Sequence, residues 1–289
     1  MAEVVRYAVG APCVGAFGDP RLLVDLAVAG EESGWDAFFL WDHLLYADPR
    51  WHVADPTVVI AAVAERTSRI RFGVMVTVLA RRRAAKVARE TVTLDRLSGG
   101  RLVFGAGLGS LPAEFTAFGE PGGAKDRAQR LDESLHVLNE LWSGRAVTYA
   151  GEHVTATGVT MLPGPVQRPR IPVWCAGRWP NKAPFRRAAQ WDGVMPTHAD
   201  YGLGQTMPPD ELRAVLRYTR AHRMAAGPFD VALEGCTDGT VPGRDAAKVA
   251  PYAEAGMTWW IEALGWWRGT TADALARVRQ GPPRLSTSS

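Results

Sequence analysis

Short apolar runs and amphipathic helical segments take turns along nearly the whole of this 289-residue chain, and no other feature restricts its fold as strongly. Runs at 5–10, 37–40, 70–78, 102–107, 171–176, 193–195, 229–234 and 258–264 have the length and apolar content of buried strands. Helical patterns separate them. Leu22, Leu23, Leu26 and Ala27 recur at helical spacing until Gly34 ends the segment, and Asp55-Pro56 has the cap-then-proline form of a helix start. Further helices are predicted over 84–97, 126–142, after Asn181, and over 209–226, 245–255 and 272–279. Eight strands alternating with eight helices predict a (β/α)8 TIM barrel, an α/β fold. The competitor is a doubly wound open sheet, which would use fewer repeats and a glycine fingerprint after the first strand; Gly10-Ala11-Pro12 supplies none.

One stretch breaks the alternation. Residues 147–166 carry a hairpin-like turn at Tyr149-Ala150-Gly151-Glu152 and end at Pro163-Gly164-Pro165, which predicts an excursion inserted after the fourth helix of a single domain. Residues 281–289 read as a flexible tail. The balance of 33 basic and 30 acidic residues points to no nucleic-acid partner. Cys13, Cys175 and Cys236 form neither a disulfide framework nor a metal-binding spacing, so no metal is expected. The first six residues lack a basic segment followed by an apolar core, and the longest aliphatic run, 58–64, is too short for a membrane span. The expectation is a cytoplasmic protein without a membrane partner.

A barrel places its chemistry in the loops after the strands. Trp41-Asp42-His43 lies in such a loop. A histidine beside a carboxylate can be held in one tautomer and act as acid or base near neutral pH; the alternative is Asp42 capping a turn and His43 bonding a carbonyl. His52, in the same loop, is a second candidate. Ala176-Gly177-Arg178-Trp179-Pro180-Asn181-Lys182 has the composition of an anion site, with a close-approach glycine, a helix start and two cations, or else of a plain strand-to-helix loop. Arg81-Arg82-Arg83 pose the same question, and Gly105-Ala106-Gly107-Leu108-Gly109 marks close backbone approach or tight strand packing. Four of the eleven tryptophans, Trp259, Trp260, Trp266 and Trp267, surround the last strand. Alternation points one of the first pair inward, and Trp266 and Trp267 fall at the mouth, as walls for a ring or as an apolar plug.

Several strings resemble the bacterial luciferase-like flavin oxidoreductases: Ala29-Gly30-Glu31-Glu32-Ser33-Gly34-Trp35-Asp36-Ala37 with Trp41-Asp42-His43, Thr67 to Gly73, Leu94 to Leu102, Leu141 to Gly144, Pro163 to Gln167 and Arg187 to Gly193. The likeness covers about residues 5–200 and fades afterwards. It implies a (β/α)8 barrel binding reduced FMN, or alternatively the deazaflavin coenzyme F420, at its mouth. His43 would then be the catalytic group, with Asp42 beside it near the ring. Met75-Val76 would carry a non-prolyl cis peptide behind the ring. Gly107, Gly109 and Ser110 would line the pocket, and Ala176, Gly177, Arg178, Asn181 and Lys182 would hold the cofactor and its phosphate. Trp41, His52, Trp266 and Trp267 would face the substrate.

Some deazaflavin-dependent dehydrogenases of this kind carry a catalytic glutamate where Ser110 stands, which disfavours sugar-phosphate dehydrogenation. The resulting expectation is a flavin-dependent monooxygenase that takes reduced FMN from a separate reductase and acts with oxygen on a small organic molecule. The alternatives are F420-dependent hydride transfer, for which Arg81–Arg83 would serve the acidic tail, and a non-catalytic flavin-binding barrel. A homodimer is implied by the family alone.

Overall fold

A computed structural model describes residues 5–285. Eight parallel strands close into a barrel: β1 (Arg6–Ala11), β2 (Ala37–Leu40), β3 (Arg71–Val78), β4 (Leu102–Gly107), β7 (Val173–Trp179), β8 (Gly193–His198), β9 (Asp230–Gly235) and β10 (Trp259–Ala263). Their order around the barrel is β1-β10-β9-β8-β7-β4-β3-β2. The outer layer is α1 (Pro20–Glu32), α2 (Pro56–Arg66), α3 (Ala84–Leu97), α5 (Ala124–Trp142), α6 (Ala183–Ala188), α7 (Pro209–Ala221), α8 (Pro242–Glu254) and α9 (Thr271–Arg279). A short helix absent from the sequence reading, α4 (Ala113–Thr116), sits in the loop after β4.

Sequence signals explain these elements. Asp19 and Asp55 each accept a backbone N–H of the first turn while the following proline opens the helix. Strand alternation sends Ala8, Phe39, Val103, Trp174, Ala232, Trp259 and Ile261 into the barrel. Phe39, Trp174 and Trp259 pack edge to face there, with centroids 5.3–6.3 Å apart. Below them Asp230 accepts the indole N–H groups of Trp174 (3.2 Å) and Trp259 (2.9 Å). This aromatic plug fills the lower barrel. Trp260 points outward against Tyr252 of α8, as alternation requires.

The strings that carried the family resemblance act mainly as clamps between units. Glu31 of α1 accepts the backbone N–H groups of Ser68, Arg69 and Ile70. Asp95 of α3 accepts those of Val166 and Gln167, closing the excursion. That excursion is an antiparallel hairpin, β5 (Val147–Ala150) and β6 (Thr155–Val159), whose turn is held by Glu133 of α5 through the N–H groups of Glu152, His153 and Val154. Residues 281–285 of the expected tail run under the barrel, where Arg284 donates to the Gly34 carbonyl (2.7 Å) and the Leu285 N–H to the Tyr7 hydroxyl (3.1 Å). Residues 286–289 of that tail and 1–4 of the amino terminus lie outside the described residues. No helix of the described residues is long and apolar enough to cross a membrane.

Candidate active site

A cavity of about 720 Å³ opens at the carboxyl ends of the strands. Of the residues singled out in the sequence, Trp41, Asp42, His43, Met75, Val76, Gly107, Gly109, Ser110, Ala176, Gly177, Arg178, Asn181 and Trp267 line it. The Met75–Val76 peptide is cis. A Cβ on Gly107 would overlap Val76, so glycine there lets β4 close against β3.

Asp42 and His43, adjacent in sequence, serve different partners. Asp42 is 4% exposed and accepts the Val78 N–H (2.9 Å), Arg81 (2.7 Å) and Arg82 (2.9 Å). It anchors the loop after β3 and is not the carboxylate that orients the histidine. That carboxylate is Glu114 of α4, whose Oε1 lies 3.2 Å from His43 Nδ1 and accepts the N–H groups of Leu44 (2.6 Å) and Leu45 (3.2 Å). Its Oε2 accepts Arg81 (2.8 Å), so one guanidinium bridges Asp42 and Glu114 with all three side chains buried. Burial acts to raise the Glu114 pKa, but the hydrogen bonds from His43 and Leu44 and the charge of Arg81 outweigh it and leave it lowered. Glu114 is an ionised partner that fixes the imidazole through Nδ1, leaving Nε2 as the nitrogen for the cavity.

Arg81 and Arg82 are therefore occupied by carboxylates, and Arg83 is exposed, so this run is not the free cationic patch that an acidic cofactor tail would want. The expected anion loop also differs. Gly177, Arg178 and Trp179 belong to β7 and pair with β8. A Cβ on Gly177 would stand 2.9 Å from Phe185, so this glycine admits α6 against the strand. Lys182 does not line the cavity; its ammonium lies 3.2 Å above the Trp179 ring and 4.7 Å from Tyr218. Arg178 stays at the rim and donates to the Ala199 carbonyl (2.9 Å).

One wall is aromatic. Trp41 and Trp267 stack at 5.6 Å and both line the cavity, with Tyr46 beside His43 at 4.9 Å. Trp266 lies behind this wall, edge-on to Trp41, Tyr46 and Trp51, and His52 is an exposed residue outside the lining. Sequence reasoning missed Glu114, Arg127 and Glu234. Arg127 of α5 donates to the Gly109 carbonyl (2.8 Å) and covers Phe115, while its Nε is buried without a partner. The Trp267 Nε1 is likewise unpartnered. Glu234, on the inner face of β9, has its carboxyl pushed up to about 7 by burial, the Trp41 side chain drawing it partly back. The buried thiols of Cys13 and Cys175 are pushed up to about 12 by burial, which keeps them protonated and unreactive.

The cavity has a flat aromatic wall at Trp41 and Trp267, a strand junction at Met75-Val76 and one oriented histidine. That lining, aromatic on one side with a single oriented histidine, fits a planar heteroaromatic ring.

Comparison with known proteins identifies the family. Over 160 residues the chain is 34% identical to a protein of Microbacterium testaceum named F420-dependent glucose-6-phosphate dehydrogenase, covering 55% of this chain and 48% of that one. The chain spans about half the length of the first curated relatives it matches. Two solved structures share the fold. An F420-dependent secondary alcohol dehydrogenase superposes with a TM-score of 0.77 at 14% identity, over 98% of this chain and all of that one. The oxygenating constituent of 3,6-diketocamphane monooxygenase from Pseudomonas putida does so with a TM-score of 0.75 at 16% identity, over 97% of each chain. The sequence pattern of the luciferase-like monooxygenases matches residues 6–259, and the chain belongs to that family of flavin- and F420-dependent oxidoreductases.

Proposed function

We propose that this protein transfers hydride between the deazaflavin coenzyme F420 and a small oxygen-bearing molecule, with His43 as the proton-transferring group. The observation that carries this reading is the His43–Glu114 pair at the cavity wall. A histidine held by an ionised, buried carboxylate can take the proton of a substrate hydroxyl through Nε2, because Glu114 stabilises the imidazolium that results. The relatives named as F420-dependent support the deazaflavin over FMN, which the sequence alone favoured.

The coenzyme, when bound, supplies the hydride acceptor or donor. Its ring would lie against Met75 and Val76, with Gly107, Gly109 and Ser110 along one edge and Ala176, Gly177, Arg178 and Asn181 toward its phosphate. Lys182 is left out of this set because its ammonium is engaged on Trp179. Trp41 and Trp267 keep water from the reacting centre. Asp42 acts indirectly, by fixing Arg81, Arg82 and the backbone of Val78. Ser110 offers no carboxylate at its position, which directs the proposal away from sugar phosphates.

The test is turnover of F420 with alcohols by wild type and His43→Ala. Loss of about 100- to 10,000-fold in kcat with an unchanged fold is expected; unchanged kcat would sink the role of His43. A second reading, oxygen insertion with reduced FMN, is favoured by the enclosed aromatic wall, which would shield an oxygen-reactive centre. It predicts oxygen consumption that depends on added reduced FMN.

A further inference from the structure

Among the described residues, Glu234 is the one carboxyl lining the cavity that has no cation beside it. Its strand alternation, Asp230, Ala232 and then Glu234 inward, carries it above the aromatic plug to the level of Gly10 on β1, whose Cβ position is 3.6 Å from Glu234 Oε1. Its carboxyl meets one polar side chain, the Trp41 indole, whose hydrogen bond draws its pKa partly back, and its backbone carbonyl accepts the Thr206 hydroxyl (3.0 Å). The charged groups and histidines that line the cavity are committed elsewhere, and burial raises the pKa of its tyrosines, Tyr46 and Tyr201. Asp42 holds Arg81 and Arg82, and His43 is bound to Glu114. His198 accepts the Asp200 N–H and pairs with Glu211 at 3.3 Å. Arg178 is on β7, two strands from β9, and donates to the Ala199 carbonyl, while Arg127 donates to the Gly109 carbonyl after β4, three strands from β9. The Cys236 thiol, two residues on and just past the end of β9, is held protonated by burial.

We propose that Glu234 is a substrate-binding group, donating a hydrogen bond from its acid form to an oxygen of the substrate, and that it thereby selects uncharged ketones or alcohols over phosphorylated or carboxylated compounds. The inference rests on the oxidoreductase reading above for the presence of a substrate in this cavity. Burial keeps the group protonated up to about pH 7, so it offers a donor where an ordinary carboxylate offers none. An anionic substrate would need a cation on this wall, and the wall supplies Trp41, Trp267 and Glu234 instead. The proton stays on Glu234 throughout, and the transferred proton belongs to His43.

Two measurements on the purified protein decide it without coenzyme. Infrared difference spectra of wild type against Glu234→Gln should show a carboxylic-acid band below pH 7 that disappears above it; no such band below pH 7 would overturn the proposal. Calorimetric titration with cyclohexanone should give binding that weakens as the pH rises through 7 in wild type. In Glu234→Gln, which keeps an N–H donor, binding should be pH-independent; in Glu234→Leu it should be about tenfold weaker or worse. Undiminished binding in Glu234→Leu, no binding of cyclohexanone to wild type, or tighter binding of glucose 6-phosphate than of cyclohexanone would each overturn it. Failure of the oxidoreductase reading shows separately, as absence of binding by both F420 and FMN.

Discussion

Replacing Glu114 by alanine tests the site and its scaffold together. The carboxylate is buried and accepts from four groups: His43, the N–H groups of Leu44 and Leu45, and Arg81. Its removal leaves two backbone donors and one face of a buried guanidinium unsatisfied. Breaking a buried ion pair from one side costs about 3–5 kcal/mol. Arg81 keeps Asp42 as a counter-charge, so the low end, about 3 kcal/mol, is expected. For a chain of this size that lowers Tm by roughly 6–12 °C. The assay is urea unfolding followed by tryptophan fluorescence, beside kcat measured at a temperature where the variant is folded. In the folded variant kcat should fall at least about tenfold because His43 loses its orienting partner. Glu114→Gln, which still accepts the Leu44 N–H, should recover part of the stability but little of kcat. The sign with pH also follows. Because the native pKa of Glu114 is lowered, its contribution is complete above the ordinary carboxylate range and is lost as the pH falls through the lowered value. Wild-type stability and kcat retained in Glu114→Ala would refute the reasoning.

Other outcomes follow from the same structure. Glu234 has a raised native pKa, so the unfolded chain releases its proton first and wild-type stability should fall as the pH rises from about 4.5 to about 7. Glu234→Gln should then be more stable than wild type above pH 7 by on the order of 3 kcal/mol, and equal to it in acid, as read by urea unfolding at the two pH values. Lys182→Ala should leave coenzyme affinity within about twofold, whereas Arg178→Ala at the cavity rim should weaken it about tenfold, both by fluorescence titration. Asp42→Asn should lower kcat mainly through the loop it anchors, with the loss accompanied by reduced protection of the Val78 amide in hydrogen exchange.

The eight strand-and-helix units are legible in the sequence because the two periodicities differ and the breakers are strong, as at Asp19-Pro20, Gly34 and Asp55-Pro56. The placement of the cavity follows from that pattern, since loops after parallel strands converge on one end. The partner of His43 is not legible. Asp42 is its neighbour in sequence, but successive side chains at a strand end diverge, and Asp42 turns to Arg81 and Arg82 while His43 turns to a glutamate 71 positions away on a helix of one turn. Lys182 misleads for a related reason: β7 continues to Trp179, which carries the lysine past the mouth and onto the outer ring face. Glu234 is hidden by its ordinary appearance in a strand, where only closure of the barrel shows that it faces space without a cation.

The most direct test of the account is a side-by-side titration of the protein with F420 and FMN, oxidised and reduced, followed by quenching of tryptophan fluorescence, with Trp41 and Trp267 as the reporting wall. The account predicts saturable quenching by F420, at least about tenfold tighter than by FMN. Absence of F420 binding, or tighter binding of FMN than of F420, would contradict it.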